Sequence, residues 1–169
     1  LEDALKTYEE VFWSSYYEMM GNKLGLDELT PEDQDLTQDF EKVLSAVKPD
    51  MTIFYQLLID LPRETSAEDQ ILEHFSESFY EVPEEKDKSD FTGLIQQYLS
   101  RLNLNKISEK QSKEKMRKAN PRFILRNYLL HQAIEELEKD DNNLFVKLRK
   151  ALKDPYSANH DEFFAKRPD

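Results

Sequence analysis

The sequence predicts an all-α fold, a single-domain helical bundle of about six to eight helices. The chain of 169 residues holds only three glycines, and it lacks the Asn-Gly or Gly-Gly pairs that close β-hairpins. Period-two alternation of apolar and polar residues is scarce. Apolar residues instead recur at spacings of three and four, which places them on one face of a helix. A chain of this length buries roughly two thirds of the surface its unfolded form exposes, enough for one domain with its own core.

Taken in order, Leu5, Tyr8, Phe12, Tyr16, Met19 and Met20 keep helical spacing and predict an amphipathic helix over residues 3–24, stopped near Gly21 or Gly25. An aromatic stripe of this kind is expected in the core. Trp13 lies beside it and is read with it, a face towards a missing domain being the lesser alternative. Thr30-Pro31-Glu32-Asp33 starts the next helix: a hydroxyl cap, proline at the first position, then carboxylates at the positive end of the helix dipole. Leu36, Phe40, Val43, Leu44 and Val47 share its apolar face, and Lys48-Pro49 ends it. Asp50 caps a shorter helix carrying Ile53, Phe54, Leu57 and Leu58 before Pro62. Ser66 is expected to cap a fourth, reaching Phe79 through Ile71, Leu72 and Phe75. The acidic stretch Glu81 to Asp90, which contains Pro83, reads as a mobile loop or a helix entry. Phe91, Leu94, Ile95, Tyr98, Leu99 and Leu102 mark a fifth helix.

A basic run then begins, with Lys106, Lys110, Lys113, Lys115, Arg117, Lys118, Arg122 and Arg126. Asn120-Pro121 reads as another helix start, Asn as cap and Pro at the first position. Ile124, Leu125, Tyr128, Leu129, Ala133, Ile134 and Leu137 supply a core face to about Lys139. Asp140, Asp141, Asn142 and Asn143 make a turn. Leu144, Phe145, Leu148, Ala151 and Leu152 rebuild the stripe until Asp154-Pro155, which completes a helical hairpin.

Thirty-five acidic against twenty-three basic residues give a formal charge of −12. That charge repels a phosphate backbone at long range, so no nucleic-acid partner and no anionic membrane surface is expected. The basic run lacks the interleaved aromatics of a base-stacking platform and reads first as a solvated helix face near a docking site, with a phosphate- or acid-binding strip as the alternative. No apolar run approaches the ~20 residues that span a bilayer, and the first residues lack a signal-peptide pattern. A soluble, intracellular protein is expected, cytoplasmic if bacterial. There is no cysteine, hence no disulfide framework, thiolate nucleophile or Cys-ligated zinc. The first residue is Leu rather than Met, so a piece of something longer is expected.

Few constellations carry chemistry. His131 and Glu135 share a helix face by spacing, but no third ligand stands near them in sequence, and His74 and His160 have no better company. The Asp140–Asn143 turn lacks the glycine and closing glutamate of a calcium loop. No glycine-rich phosphate loop and no kinase signature is present. No catalytic, cofactor or metal residue is assigned. Arg126 and Asn127 are the polar pair to watch, because a guanidinium there can hold a carboxylate through two parallel bonds or gather several carbonyls. Two roles stay open for them, a tie to a loop within the domain and a contact with a domain the chain lacks.

The order of short motifs is more specific than any of this. Asn120-Pro121, Arg126-Asn127, Ala133-Ile134, Asp140-Asp141 and Pro155-Tyr156 follow one another here, with MGNKLGL at Met20 to Leu26, DMTIFYQL at Asp50 to Leu57 and the tail FFAKRPD. This wording resembles the carboxyl-terminal region of the selenoprotein O family, called YdiU in bacteria. The resemblance touches both ends of the chain, and the middle from about Pro62 to Lys110 carries no matching motif. It implies a kinase-like enzyme that binds ATP with Mg2+ or Mn2+ in an inverted orientation and transfers AMP to Ser, Thr or Tyr of protein substrates. The catalytic part is expected upstream of this region, which leaves the chain the role of a helical domain packed on a kinase-like body. Many members end in a Cys or selenocysteine redox motif, whereas this sequence stops at Asp169 without one. An independent helical interaction module is the alternative from a different class, and a stand-alone helical enzyme built on unmatched carboxylates ranks last.

Overall fold

The computed structural model of the chain describes residues 2–168, with side chains from residue 7 onward. Among the described residues it is all-α: eight α-helices, two 3-10 segments and no strand. The helices are α1 (Glu2–Leu24), α2 (Pro31–Val47), α3 (Met51–Asp60), α4 (Glu68–Phe75), α5 (Glu85–Leu102), α6 (Glu109–Ala119), α7 (Asn127–Leu137) and α8 (Asn143–Lys153). The 3-10 segments are Ser76–Ser78 and Ala158–Phe163.

The main core lies among α1 to α6. α2 packs on α5, α1 on α6, α4 on α5 and α3 on α6. Its centre is aromatic: the Phe54 ring lies 5.2 Å from Phe75, 6.1 Å from Phe91 and 6.4 Å from Phe40, and Phe40 meets Tyr98 edge-on at 5.6 Å. Such offset and edge-to-face contacts add to the burial of the rings themselves. A second, smaller cluster joins Phe123, Leu129, Ala133, Leu148, Ala151 and Phe163, where α7 and α8 face each other under the 3-10 segment near the carboxyl end.

Several expected starts and stops hold. Thr30 is the N-cap residue of α2 with Pro31 at its first position, and the Asp50 carboxylate accepts the Thr52 and Ile53 N–H groups at 3.1 and 3.2 Å at the start of α3. The acidic stretch is a helix entry, since α5 begins at Glu85 inside it.

Four expectations are corrected. Asn120 does not start a helix. It follows α6 with φ −118° and ψ 102°, the extended geometry that a following proline imposes on the residue before it, and α7 begins only at Asn127 with Arg126 as its N-cap residue. The face assigned to that helix is core only in part: Leu129 and Ala133 are buried and Tyr128 is half-buried, but Ile124, Leu125, Ile134 and Leu137 are exposed. With α8 as its main packing partner, α7 has less than a full stripe to cover. Ser66 is not a cap; α4 begins at Glu68 after Ala67, and ends at Phe75 in a 3-10 turn. The aromatic stripe of α1 is largely in water, with every side chain from Thr7 to Ser15 exposed, and burial begins at Met20. Leu5, named on that stripe, lies outside the described side chains.

Gly25 closes α1. Its φ of +67° is a left-handed conformation, and a Cβ there would sit 2.6 Å from Ser112 Oγ and 2.7 Å from Met116 Cγ. Both facts require glycine. Gly25→Ala combines a strained backbone with overpacking against α6 and is expected to lower stability by about 3 kcal/mol, read from the midpoint of urea unfolding; a loss under about 1 kcal/mol would show that α6 yields.

Candidate functional site

The motifs quoted above, far apart in sequence, meet in two places. The first is the end of α1, in the MGNKLGL segment. A helix leaves its last carbonyls without intrahelical donors, and here four consecutive carbonyls each receive a side chain. Asn120 Nδ2 donates to Lys23 O at 2.9 Å and Tyr98 OH to Leu24 O at 2.9 Å. Ser112 Oγ and Asn105 Nδ2 donate to Gly25 O at 2.6 and 2.8 Å, and Lys115 Nζ donates to Leu26 O at 2.5 Å. Asn120 does most of the joining. Its amide also donates to Met116 O at 3.0 Å, its own carbonyl accepts from Gln56 Nε2 at 3.0 Å, and the residue is 1% exposed. It therefore links α1, α3 and α6.

The second meeting point joins the DMTIFYQL segment to the Arg-Asn pair. Besides capping α3, the Asp50 carboxylate accepts two parallel bonds from Arg126, Nη1 to Oδ2 at 2.5 Å and Nη2 to Oδ1 at 3.0 Å. Tyr80 OH donates to the same Oδ2 at 2.8 Å. Burial alone would raise the Asp50 carboxyl, but the hydrogen bonds from Arg126, Tyr80 and the Ile53 N–H outweigh it and hold the group below the ordinary carboxylate range. The tail closes over this point. Lys166 Nζ donates to Phe79 O at 2.7 Å, and the Arg167 guanidinium lies 5.2 Å from the centre of the Tyr80 ring.

The remaining motif pairs are local. Asp140 takes a left-handed φ of 63° just past α7, and Asp141 Oδ1 accepts the Asn143 N–H at 2.9 Å, so the acidic pair is a helix stop and a turn. Pro155 O accepts the N–H groups of Arg122 and Phe123 at 2.8 and 2.9 Å, which fixes the extended run before α7.

A third polar centre went unnoticed in the sequence. Arg101 on α5 grips Asp33 of α2, Nε to Oδ1 at 2.5 Å and Nη2 to Oδ2 at 3.0 Å, and also donates to Asn105 Oδ1 at 3.0 Å and Glu28 O at 2.7 Å. The pairing with Asp33 raises the Arg101 pKa further. Tyr98 reads in the sequence as an ordinary apolar-face aromatic and Tyr80 carries no signal there, and only the fold reveals that their hydroxyls end on Leu24 O and Asp50 Oδ2.

Chemically these centres are locks. Asp50 accepts five hydrogen bonds from within the domain, which leaves no lone pair poised as a base or a metal ligand. Arg126 spends both terminal nitrogens on Asp50, while Asn127 is exposed at the first position of α7. His131 and Glu135 are exposed, and His74 Nε2 lies 2.8 Å from Leu57 O. Among the described residues no three His, Asp or Glu side chains gather as a metal would need, and no helix is long and apolar enough to cross a membrane.

The family model for protein adenylyltransferase SelO matches residues 1–153. The chain belongs to the SelO family. Among curated relatives it is 50% identical over 166 residues to the protein nucleotidyltransferase YdiU of Cytophaga hutchinsonii, covering 98% of this chain and 32% of that protein. It is 35% identical to that of Flavobacterium johnsoniae, covering 100% of the chain and 33% of the relative. The chain thus spans about a third of the length of the curated relatives it matches.

The depressed Asp50 pKa fixes a sign. The unfolded chain takes up this proton first, so the stability from the lock is full above the ordinary carboxylate value near ~4 and is lost as pH falls through the lower folded value. Asp50→Asn is expected to flatten the acid limb of stability against pH, measured by urea unfolding at a series of pH values; an unchanged slope would remove Asp50 from the account. Arg126→Ala, which strands a buried carboxylate, is expected to cost about 3 kcal/mol at neutral pH.

Proposed function

We propose that the chain is the carboxyl-terminal accessory helical domain of a SelO-type protein adenylyltransferase, whose kinase-like domain binds ATP with Mg2+ or Mn2+ and transfers AMP to Ser, Thr or Tyr of other proteins. The observation that carries this reading is a family match across residues 1–153 in a chain that spans about a third of its relatives. The polar centres support it, since a carboxylate that accepts five bonds within the domain, and a guanidinium whose two terminal nitrogens are spent on it, serve architecture better than chemistry. The partners in this reading are the kinase-like domain and the enzyme's protein substrates, and the setting is intracellular, the cytoplasm if the protein is bacterial. Asn127 and the adjoining edge of Arg126 are the polar contact proposed towards that domain, because Asn127 is exposed beside a side chain already fixed in place by Asp50.

A second reading, an independent helical interaction module, draws on the exposed aromatics of α1. The reading frame separates the two: a kinase-like sequence fused upstream of Leu1 favours the first, a start codon at or beside Leu1 the second. In calorimetry the 169-residue chain is expected to show no binding of Mg·ATP, while the full-length protein transfers labelled AMP from ATP to protein hydroxyls. Micromolar binding of Mg·ATP by the chain alone would overturn the accessory role. Arg126→Ala made in both forms tests the contact: activity lost in the full-length protein beyond the shared loss of stability places it at the domain boundary, and equal losses confine it to the Asp50 lock.

A further inference from the structure

We propose that the amino-terminal half of α1 is a docking ridge for the rest of the polypeptide, the two thirds of the relatives' length that this chain does not span, and that it seats in an apolar groove with a basic rim. This rests on the reading that the chain is one domain of a longer enzyme.

Tyr8, Phe12 and Trp13 are 66%, 47% and 50% exposed, and Val11 is exposed beside them. Their rings form a ladder along the helix: Tyr8 stacks on Phe12 at 6.2 Å, Phe12 on Tyr16 at 6.5 Å and Trp13 on Tyr17 at 5.8 Å. The apolar area left in water is on the order of a few hundred Å2, the size at which a patch marks an interface. The same face is core one turn further on. Met20 follows Tyr16 by four residues and Trp13 by seven, Leu24 follows Met20 by four and Tyr17 by seven, and both Met20 and Leu24 are buried. The ridge is thus a core face that outruns its bundle. It leads into an open groove of about 460 Å3 lined by Tyr16, Met19, Lys23, Glu41, Met51 and Tyr55, which offers the partner a second foothold. Glu9 and Glu10 are exposed on the same half of the helix and Glu18 is exposed further along it, in a chain of formal charge −12, which is why the rim that meets them is basic. Interfaces of this type centre on aromatic anchors.

The test compares amide hydrogen exchange of residues 8–17 in the 169-residue chain and in the protein encoded by the full reading frame, with and without the double substitution Phe12→Ser and Trp13→Ser. The expected result is exchange at least about tenfold slower in the full-length protein, reversed by the double variant. The variant should leave the melting temperature of the 169-residue chain within about 2 °C, because both side chains stand in water there. Equal exchange in the two forms overturns the ridge, as does slow exchange in the chain alone that quickens on dilution, which assigns the face to a second copy. AMP transfer measured on the same full-length sample keeps the two ideas apart. Transfer with an unprotected α1 sinks the ridge and spares the enzyme reading, whereas protection without transfer supports the ridge and sinks that reading. A reading frame that starts at Leu1 overturns both.

Discussion

Helix α1 ends in the middle of the protein, and the free carbonyls at that end must be met by donors that no backbone segment can supply there. Asn120, Tyr98, Asn105, Ser112 and Lys115 meet them. Because these donors come from α5, α6 and the segments that follow them, satisfying one helix end fixes the approach of two others. Gly25 has to be glycine for the approach to be close enough, and the left-handed turn it makes is what aims its carbonyl at Ser112 and Asn105. The buried aromatic centre supplies most of the driving force for collapse, but it is non-directional. The carbonyl cluster is what selects one arrangement of α1 against α5 and α6.

The two arginine–carboxylate pairs play a parallel part at other joints. Arg101 pins α5 to the entrance of α2, and Arg126 pins the entrance of α7 to that of α3. In both, the carboxylate stands in the first turn of a helix or at its cap, where the dipole already favours negative charge. Such pairs cost desolvation and return it only when every lone pair is used. That condition is met at Asp50.

Helix identity was legible because periodicity is a local property. Asp50 as a cap and Thr30-Pro31 as a start depend on neighbours in sequence, and both stand in the structure. Asn120 was misread although it too is a local signal: Asn before Pro satisfies a rule for caps and a rule for extended residues, and the demands of Lys23 and Met116 carbonyls decide between them. The stripe on α1 was misassigned for a different reason. Periodicity states that a face is apolar and says nothing about whether a partner is there to cover it. A bidentate grip on a carboxylate was among the options open for Arg126, but its partner, like that of Arg101, lay beyond reach because the partners are 76 and 68 residues away. The order of short motifs did mark the family, and the structure gives several of those motifs a physical reason, since MGNKLGL, DMTIFYQL, Asn120 and Arg126 supply donors and acceptors of these joints.

The division of apolar residues into a large cluster and a small one has a consequence for how the molecule comes apart. The α7–α8 hairpin shares none of its buried apolar cluster with the main core. It is tied back through directional polar links, Arg126 to Asp50 and Lys166 to the Phe79 carbonyl. Ionic links weaken with acid and salt, whereas apolar contacts strengthen in the presence of excluded salts. Protonation of Asp50 removes the ionic one of these links, so the hairpin is expected to loosen before the six-helix body as the pH falls.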